Sequence, residues 1–174
     1  NYLSSDVDFW PAMQVGFPDL TLGGYIMRQR RLKILTYLLS ESEQSELKEI
    51  VTQFNDLTFD KVATLQNKAT RELEIRINQW HQNLKEYWDS EVIEEHYYKT
   101  DAEIRTMITD LVPMLGTHPY HLDQQLVTRL EKLDAELEQN WRDGMFIWPE
   151  DWIPAYGKGD YWWLYGMPTV DGGD

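Results

Sequence analysis

The sequence predicts an all-α fold: an up-and-down helical bundle of four main helices plus a short one, with irregular aromatic arms at both ends packed on it. Three observations lead to this prediction. Apolar residues recur every three or four positions over long segments, which is typical of one face of a helix. Two Ser/Thr-x-x-Glu capping boxes mark helix starts. Alternation of period two is missing over any strand-length segment, which disfavours an extensive sheet.

The length of 174 residues suits a single domain over 1–174 with one hydrophobic core. We divide it into an irregular arm (1–19), a helical bundle (20–144) and an aromatic tail rich in Pro and Gly (145–174). The N-terminal arm contains several large apolar side chains. If exposed, they would form a sizeable apolar patch. We therefore expect a loop pressed onto the core, with contacts from Phe9, Trp10, Met13, Val15 and Phe17.

The first helix is predicted to begin near Asp19 or Thr21, because either side chain can accept a hydrogen bond from a first-turn amide. The pair Gly23-Gly24 indicates either a close backbone contact or a fraying helix start. Ser40 and Glu43 form a capping box that opens a second, short helix ending near Phe54. Asn55 and Asp56 then suit a turn.

The third helix is predicted from about Asp60 to about Trp88, since no Gly or Pro interrupts this segment. About 28 residues correspond to roughly 40 Å of helix. Its apolar stripe is longer than a compact domain of this size readily covers. We therefore expect self-association into a dimer in which the third or last helix, or the tail, crosses to the other subunit. The stripe consists of Val62, Leu65, Ala69, Leu73, Ile77, Trp80, Leu84 and Tyr87.

Two further helices complete the predicted bundle. One opens with the capping box of Thr100 and Glu103, is ended or kinked by Pro113 and has Gly116 just past its end. The last helix begins near Pro119, a residue favoured in a first helical turn, and closes at Asp143-Gly144. Its apolar stripe consists of Leu122, Leu126, Leu130, Leu133, Leu137 and Trp141.

Charge and composition exclude several functional classes. Sixteen basic against thirty acidic residues give a formal charge of −14, which disfavours binding to nucleic acids and anionic membranes. No apolar segment approaches the roughly 18 residues that span a bilayer. The absence of cysteine excludes disulfides and thiolate chemistry and fits a reducing compartment, so we expect a cytoplasmic protein. No signal peptide is visible, and whether a leader preceded Asn1 stays open.

Motifs for common catalytic and metal sites are missing. The sequence contains no Glu-x-x-His pair for a di-iron centre, no phosphate-binding loop, no Gly-x-Ser-x-Gly and no His-Glu-x-x-His, so we expect neither a cofactor nor a metal. His118 and His121 fit a polar helix start better than a metal site. His96 follows Glu94 and Glu95, and a solvated acidic turn is favoured there over a proton-transfer pair.

Two features suggest binding. Four of the sixteen basic residues lie within six positions of the first helix, at Arg28, Arg30, Arg31 and Lys33. They could hold an anionic ligand or pair with acidic helix faces, and the second interpretation is favoured. The segment Trp148-Pro-Glu-Asp-Trp152 places two carboxylates between two indoles, with Trp162 and Trp163 further on. Such a tail could complete the bundle core, which we favour, or recognise a partner or a ligand.

From the sequence we infer a non-enzymatic interaction or scaffold module that self-associates. The alternative is a protein that binds a small anionic or sugar-like ligand between the basic patch and the tail. A third hypothesis is an acid/base enzyme using Glu150, Asp151 or His96. The candidate ligand- or partner-binding residues are Arg28, Arg30, Arg31, Trp148, Glu150, Asp151, Trp152, Trp162 and Trp163.

Overall fold

The structure is a computed structural model that describes residues 2, 5, 7, 9–11 and 18–170, with a long helix over Val62–Trp88 at its centre. The predicted helical bundle is confirmed, with a small antiparallel sheet added after the last helix. Within the described residues the α-helices are α1 (Leu22–Ile34), α2 (Glu41–Asp60), α3 (Val62–Trp88), α4 (Glu95–Leu115) and α5 (Gln124–Gln139). The strands are β1 (Trp141–Phe146) and β2 (Tyr165–Pro168). Short 3₁₀ turns span Thr36–Leu38, Glu150–Ala155 and Trp162–Leu164.

The apolar stripe predicted on α3 is buried along most of its length by α1, α4 and α5 of the same chain. Its buried members are Leu65, Ala69, Leu73, Ile77, Trp80, Leu84 and Tyr87. The stripe of α5 is buried in the same way at Leu126, Leu130, Leu133 and Leu137. The buried parts of both stripes are therefore closed to a second subunit, although the length of the α3 stripe is the reason for expecting a dimer.

Helix α1 is seated against α3 and α4 through its first turn. Thr21 is its N-cap, one of the two predicted residues, and the Thr21 hydroxyl accepts a hydrogen bond from the Gly24 amide. Glu72 of α3, a fully buried carboxylate, accepts hydrogen bonds from the Leu22 and Gly23 amides at 2.8 and 3.1 Å. Gly23 and Gly24 are buried, so the close-contact interpretation is the right one, not the frayed start.

Helix α2 begins at the predicted Ser40 capping box but does not end near Phe54. It continues through the predicted turn at Asn55 and Asp56 to Asp60. Asn and Asp cost a helix only a few tenths of a kcal/mol, roughly, and the next apolar side chain, Leu57, extends the contact with the bundle. None of the twenty residues of α2 is buried, so this helix packs on the outside of the bundle.

Helix α4 begins at Glu95, five residues before the predicted capping box. The extra turn places Tyr98 in the core, where its hydroxyl donates a hydrogen bond to the Trp163 carbonyl at 2.6 Å. The helix continues through Pro113 to Leu115, and Gly116 is its C-cap as predicted.

Helix α5 begins at Gln124, capped by Asp123, and not at Pro119. The segment before it, residues 117–123, is tied to α3 and to the end of α2 by hydrogen bonds. Gln66 exchanges two hydrogen bonds with the backbone of His121, and the Tyr120 hydroxyl donates one to the Thr58 carbonyl.

The last helix is shorter than predicted, because α5 ends at Gln139 and Trp141 begins β1. The strand pairs with β2, and Trp141 lies opposite Pro168. Gly166 makes this pairing possible: its φ is +152°, and a Cβ there would lie 2.2 Å from the Arg142 carbonyl oxygen. We call residues 141–170 the C-terminal arm, which begins four residues before the predicted tail.

Described residues of the N-terminal arm lie against the bundle, as expected for a loop pressed onto the core. Tyr2 is buried, and Trp10 and Leu20 exchange two backbone hydrogen bonds of 3.0 and 2.9 Å. The predicted contacts of Met13, Val15 and Phe17 fall outside the described residues.

We predict that Gly23→Ala lowers the free energy of unfolding by about 1–2 kcal/mol. The new Cβ would lie 3.0 Å from Glu72 Oε1 and 3.1 Å from Met107 Cβ, and the better helix propensity of Ala offsets only part of this overpacking. Urea unfolding followed by circular dichroism measures the change. Gly159→Ala is the matched control, because no atom lies within 4 Å of its added Cβ. An equal loss of unfolding free energy in both variants would contradict a close contact of α1 with α3 and α4 at Gly23.

Candidate functional site

The basic patch of α1 divides between two sides of the helix. Arg30 and Arg31 point to the C-terminal arm, whereas Arg28 lines a pocket on the side of α3 and the N-terminal arm. Lys33 is exposed. The sequence-predicted site between the patch and the tail therefore receives two of the three arginines.

Arg31 lies between the rings of Trp148 and Trp152. Its Cζ atom is 4.5 Å from the Trp148 ring centre and 4.0 Å from that of Trp152. The guanidinium also donates to the Tyr156 hydroxyl at 3.0 Å and forms an ion pair with Glu103 at 2.9 Å. The two indoles of the Trp148–Trp152 segment are thus stacked on a cation of the same chain, which stabilises the docked arm.

Arg30 and Tyr161 share one carboxylate of α4. Asp110 Oδ1 accepts hydrogen bonds from Arg30 at 2.5 Å and from the Tyr161 hydroxyl at 3.1 Å. Burial raises the pKa of Asp110, although the charge of Arg30 and both hydrogen bonds act in the opposite direction. Burial and the neighbouring Asp110 charge raise the pKa of Tyr161, so this hydroxyl stays a hydrogen-bond donor.

Trp163 is the most deeply placed tryptophan of the arm. The Arg105 guanidinium lies 3.9 Å from its ring centre, and the indole N–H donates to the Thr106 hydroxyl at 3.3 Å. Asp134 of α5 holds Arg105 through two hydrogen bonds of 2.8 and 2.7 Å. Trp162 is half-buried and lies edge-on to Trp141 at 5.2 Å. The arm therefore completes the core of its own bundle, the interpretation favoured from the sequence.

Glu150 and Asp151 do not join this cluster. Both carboxylates are exposed at the start of a 3₁₀ turn, and among the described residues neither forms a hydrogen bond or an ion pair through its side chain. His96 is also exposed, 3.2 Å from Glu94, and its ring centre lies 3.9 Å from that of Tyr97. The structure thus brings Arg31 together with Trp148 and Trp152, and places Arg30 beside Tyr161. It does not bring His96 to the two carboxylates of the acid/base hypothesis.

The described part of the chain shows neither a metal-binding cluster nor a membrane-spanning helix. No group of three or more His, Asp or Glu side chains there is placed to hold a metal ion. No helix in the same residues combines the length and apolarity needed to cross a membrane.

A groove between α1 and α2 is one candidate surface that the sequence did not reveal. It has a volume of about 330 Å³, and its walls are almost entirely apolar or aromatic. Tyr25 and Phe54 pack together at its base with ring centres 4.4 Å apart. Leu20 and Ile50 at its edge are 38% and 43% exposed. The groove is lined by Tyr2, Leu20, Leu22, Tyr25, Ile50, Gln53, Phe54 and Leu57.

A second candidate surface is the pocket that contains Arg28, which has a volume of about 360 Å³. Arg76 of α3 lies beside Arg28 in its wall, and sequence reasoning missed this residue. The available signal was the pair Glu72 and Arg76, four positions apart, which flanks the apolar stripe of α3. A charged side chain next to a buried apolar stripe is partly buried itself and therefore needs a partner of opposite charge.

Comparison with known proteins gives no relative to argue from. The chain matches no family model, no curated protein and no solved structure.

We predict that Arg31→Lys lowers the free energy of unfolding by about 1–2 kcal/mol. Lysine keeps the charge beside Glu103 but loses the planar stack between the two indoles. Urea unfolding and tryptophan emission measure the effect, with a red shift expected in the emission. Arg142→Lys, an exposed position on β1, is the control and should leave both unchanged. If Arg31→Lys changed neither the free energy of unfolding nor the tryptophan emission, the stack of Arg31 between the indoles would not stabilise the arm.

The half-buried Asp101 of α4 predicts a pH dependence of stability. Burial raises its pKa above the ordinary value of 3.8, although the hydrogen bond from the Tyr87 hydroxyl lowers it. The folded state therefore binds this proton more tightly than the unfolded state. Its contribution to stability then falls as the pH rises from 3.8 through the raised pKa.

We expect Asp101→Asn to remove this contribution. The variant should gain stability relative to the wild type between about pH 4 and about pH 7, as measured by urea unfolding at both values. The exposed Asp160→Asn is the control and should show no such gain. A constant difference between Asp101→Asn and the wild type over this range would contradict the prediction.

Proposed function

We propose that this protein is a non-enzymatic interaction module whose α1–α2 groove binds a basic, amphipathic segment of a partner protein. The observation that carries the proposal is the long helix α2. It presents an apolar stripe to the groove, yet none of its residues is buried. A helix of this kind gains stability when a partner covers its apolar face.

The groove has the dimensions and lining of a binding surface for apolar anchor side chains. Its volume of about 330 Å³ lies within the range of about 300–1,000 Å³ typical of ligand pockets. Leu20 and Ile50 are partly exposed at its edge, so that an arriving side chain would remove both from water. Burial of apolar area supplies the affinity, at about 25 cal/mol per Å².

Charge favours a basic partner. Helix α2 contains six acidic residues and one lysine, which gives it a net charge of 1 − 6 = −5. Glu46 lies one turn before Ile50 and thus on the same side of the helix. Lys or Arg residues flanking the apolar anchors of a partner would meet this acidic surface, and complementary charge of this kind also speeds association.

The same charge disfavours a second copy as the occupant. Two copies that meet through α2 would bring two acidic helices together, and each chain has a net charge of −14. The self-association predicted from the sequence is thus kept as the competing occupant of the groove. Cytoplasmic location and the lack of nucleic-acid partners stay part of the proposal, supported by the cysteine-free composition and the acidic charge.

A synthetic peptide of about 18 residues built from Leu and Lys tests the proposal, with a Leu/Glu peptide of the same pattern for comparison. Fluorescence polarisation of the labelled peptides measures affinity. We expect the Lys peptide to bind, added salt to weaken it and the Glu peptide not to bind. Ile50→Ser should weaken binding about tenfold or more through the lost apolar contact.

Phe59→Ser is the matched control. Phe59 is 77% exposed and lies nine residues after Ile50, which places it about half a turn away on the opposite side of α2. Equal weakening by Ile50→Ser and Phe59→Ser, or equal binding of both peptides, would contradict the proposal. Sedimentation of the protein alone at tens of micromolar tests the competing occupant. A dimer that Ile50→Ser dissociates would show that a second copy, and not a partner protein, fills the groove.

A further inference from the structure

The Arg28 pocket shares no lining residue with the α1–α2 groove. Residues of α1, α3 and α4 line it, together with the N-cap Thr21 and with Phe9, Pro18 and Asp19 of the N-terminal arm. Its volume of about 360 Å³ suits a small organic molecule. The pocket is separate from the surface to which we assign the partner protein.

Arg28 has no direct partner for its charge in the part of the chain that the structure describes. No group there accepts a hydrogen bond from this guanidinium or forms an ion pair with it, although the side chain is only partly exposed. Burial lowers the pKa of Arg28, and the charges of Arg31 and Arg76 act in the same direction, partly offset by Glu103 and Glu72. An anion placed beside Arg28 would therefore stabilise its charged form.

Arg76 provides a second guanidinium that is already fixed in place. Its side chain is 12% exposed and lies 3.5 Å from Glu72, 3.2 Å from Gln79 Oε1 and 3.4 Å from the Thr21 hydroxyl. The Phe9 ring lies 5.0 Å from its Cζ atom. Because these contacts hold Arg76 in one position, little conformational entropy would be lost on binding an anion.

The other residues that line the pocket restrict the polarity and the charge of a ligand that could bind there. Met27, Ile104 and Met107 provide an apolar surface. Asp19, Asp101 and Glu103 also line the pocket. Glu103 is paired with Arg31, Asp101 accepts a hydrogen bond from Tyr87, and Asp19 has a partner as well. These three carboxylates would repel a group with two or more negative charges, and they favour a single charge on an otherwise apolar molecule.

We propose that this pocket binds a small organic monocarboxylate. The carboxylate lies at Arg28 and Arg76, where planar guanidinium groups match its two oxygens. The apolar body lies against the two methionines and Ile104. The site depends on three helices and not on the C-terminal arm, in contrast to the ligand site expected from the sequence.

Calorimetric titration with three probes of similar size tests the proposal. Benzoate has the proposed charge, benzyl alcohol has none, and phenyl phosphate has up to two. We expect benzoate to bind, and both other probes to bind about tenfold more weakly or not at all. Tighter binding of phenyl phosphate, or no binding of benzoate up to about 10 mM, would overturn the proposal.

Substitution of single arginines tests whether benzoate binds at the Arg28 pocket. Arg28→Gln should weaken benzoate about tenfold or more, whereas Arg142→Gln, an exposed arginine on β1, should leave it unchanged. Since Arg28 has no partner among the described residues, its removal should leave the urea midpoint intact, which separates lost binding from lost folding. Benzoate binding that survives in Arg28→Gln would also overturn the assignment.

Discussion

The seating of α1 on the buried carboxylate of Glu72 is the constraint on which the rest of the structure depends. Glu72 meets the free amides of Leu22 and Gly23, where a negative charge is favourable at the start of a helix. Only glycine leaves room at position 23 for this contact with α3 and α4. Once seated, α1 contributes to three surfaces, because Tyr25 lines the groove, Arg28 lines the pocket and Arg31 holds the C-terminal arm.

The C-terminal arm shows how an acidic protein uses its few basic residues. Arg31 stacks on two indoles, and Arg105 lies over a third while Asp134 holds it in place. Each of these cations pairs with a half-buried carboxylate, Glu103 or Asp134, and also covers an aromatic face. Exposed tryptophan faces often indicate ligand binding, but here arginine side chains of the same chain cover the indole faces. Arg28, which has no ion-pair partner within residues 18–170, and the exposed α2 side of the groove are therefore more informative about function than the tryptophan-rich arm.

Local signals in the sequence were sufficient for much of the fold. The stripe of α3 and the capping box at Ser40 depend on residues within a few positions of each other, and both were predicted correctly. The pairing of Trp141 with Pro168 depends on residues 27 positions apart (168 − 141), so Trp141 was assigned to the last helix because it continued that stripe. The division of the basic patch follows from helix geometry, since Arg30 lies about 200° around α1 from Arg28. Which side meets the arm depends on tertiary packing, and this could not be predicted from one chain.

The most direct test of this account is amide hydrogen exchange at Leu22 and Gly23. If Glu72 seats α1, both amides should be protected nearly as well as the core of α3, although they belong to the first helical turn, which ordinarily exchanges fast. Glu72→Gln should accelerate exchange at these two amides and along α1 while leaving the centre of α3 protected. Rapid exchange at Leu22 and Gly23 in the wild type, or exchange unchanged by Glu72→Gln, would contradict the central claim.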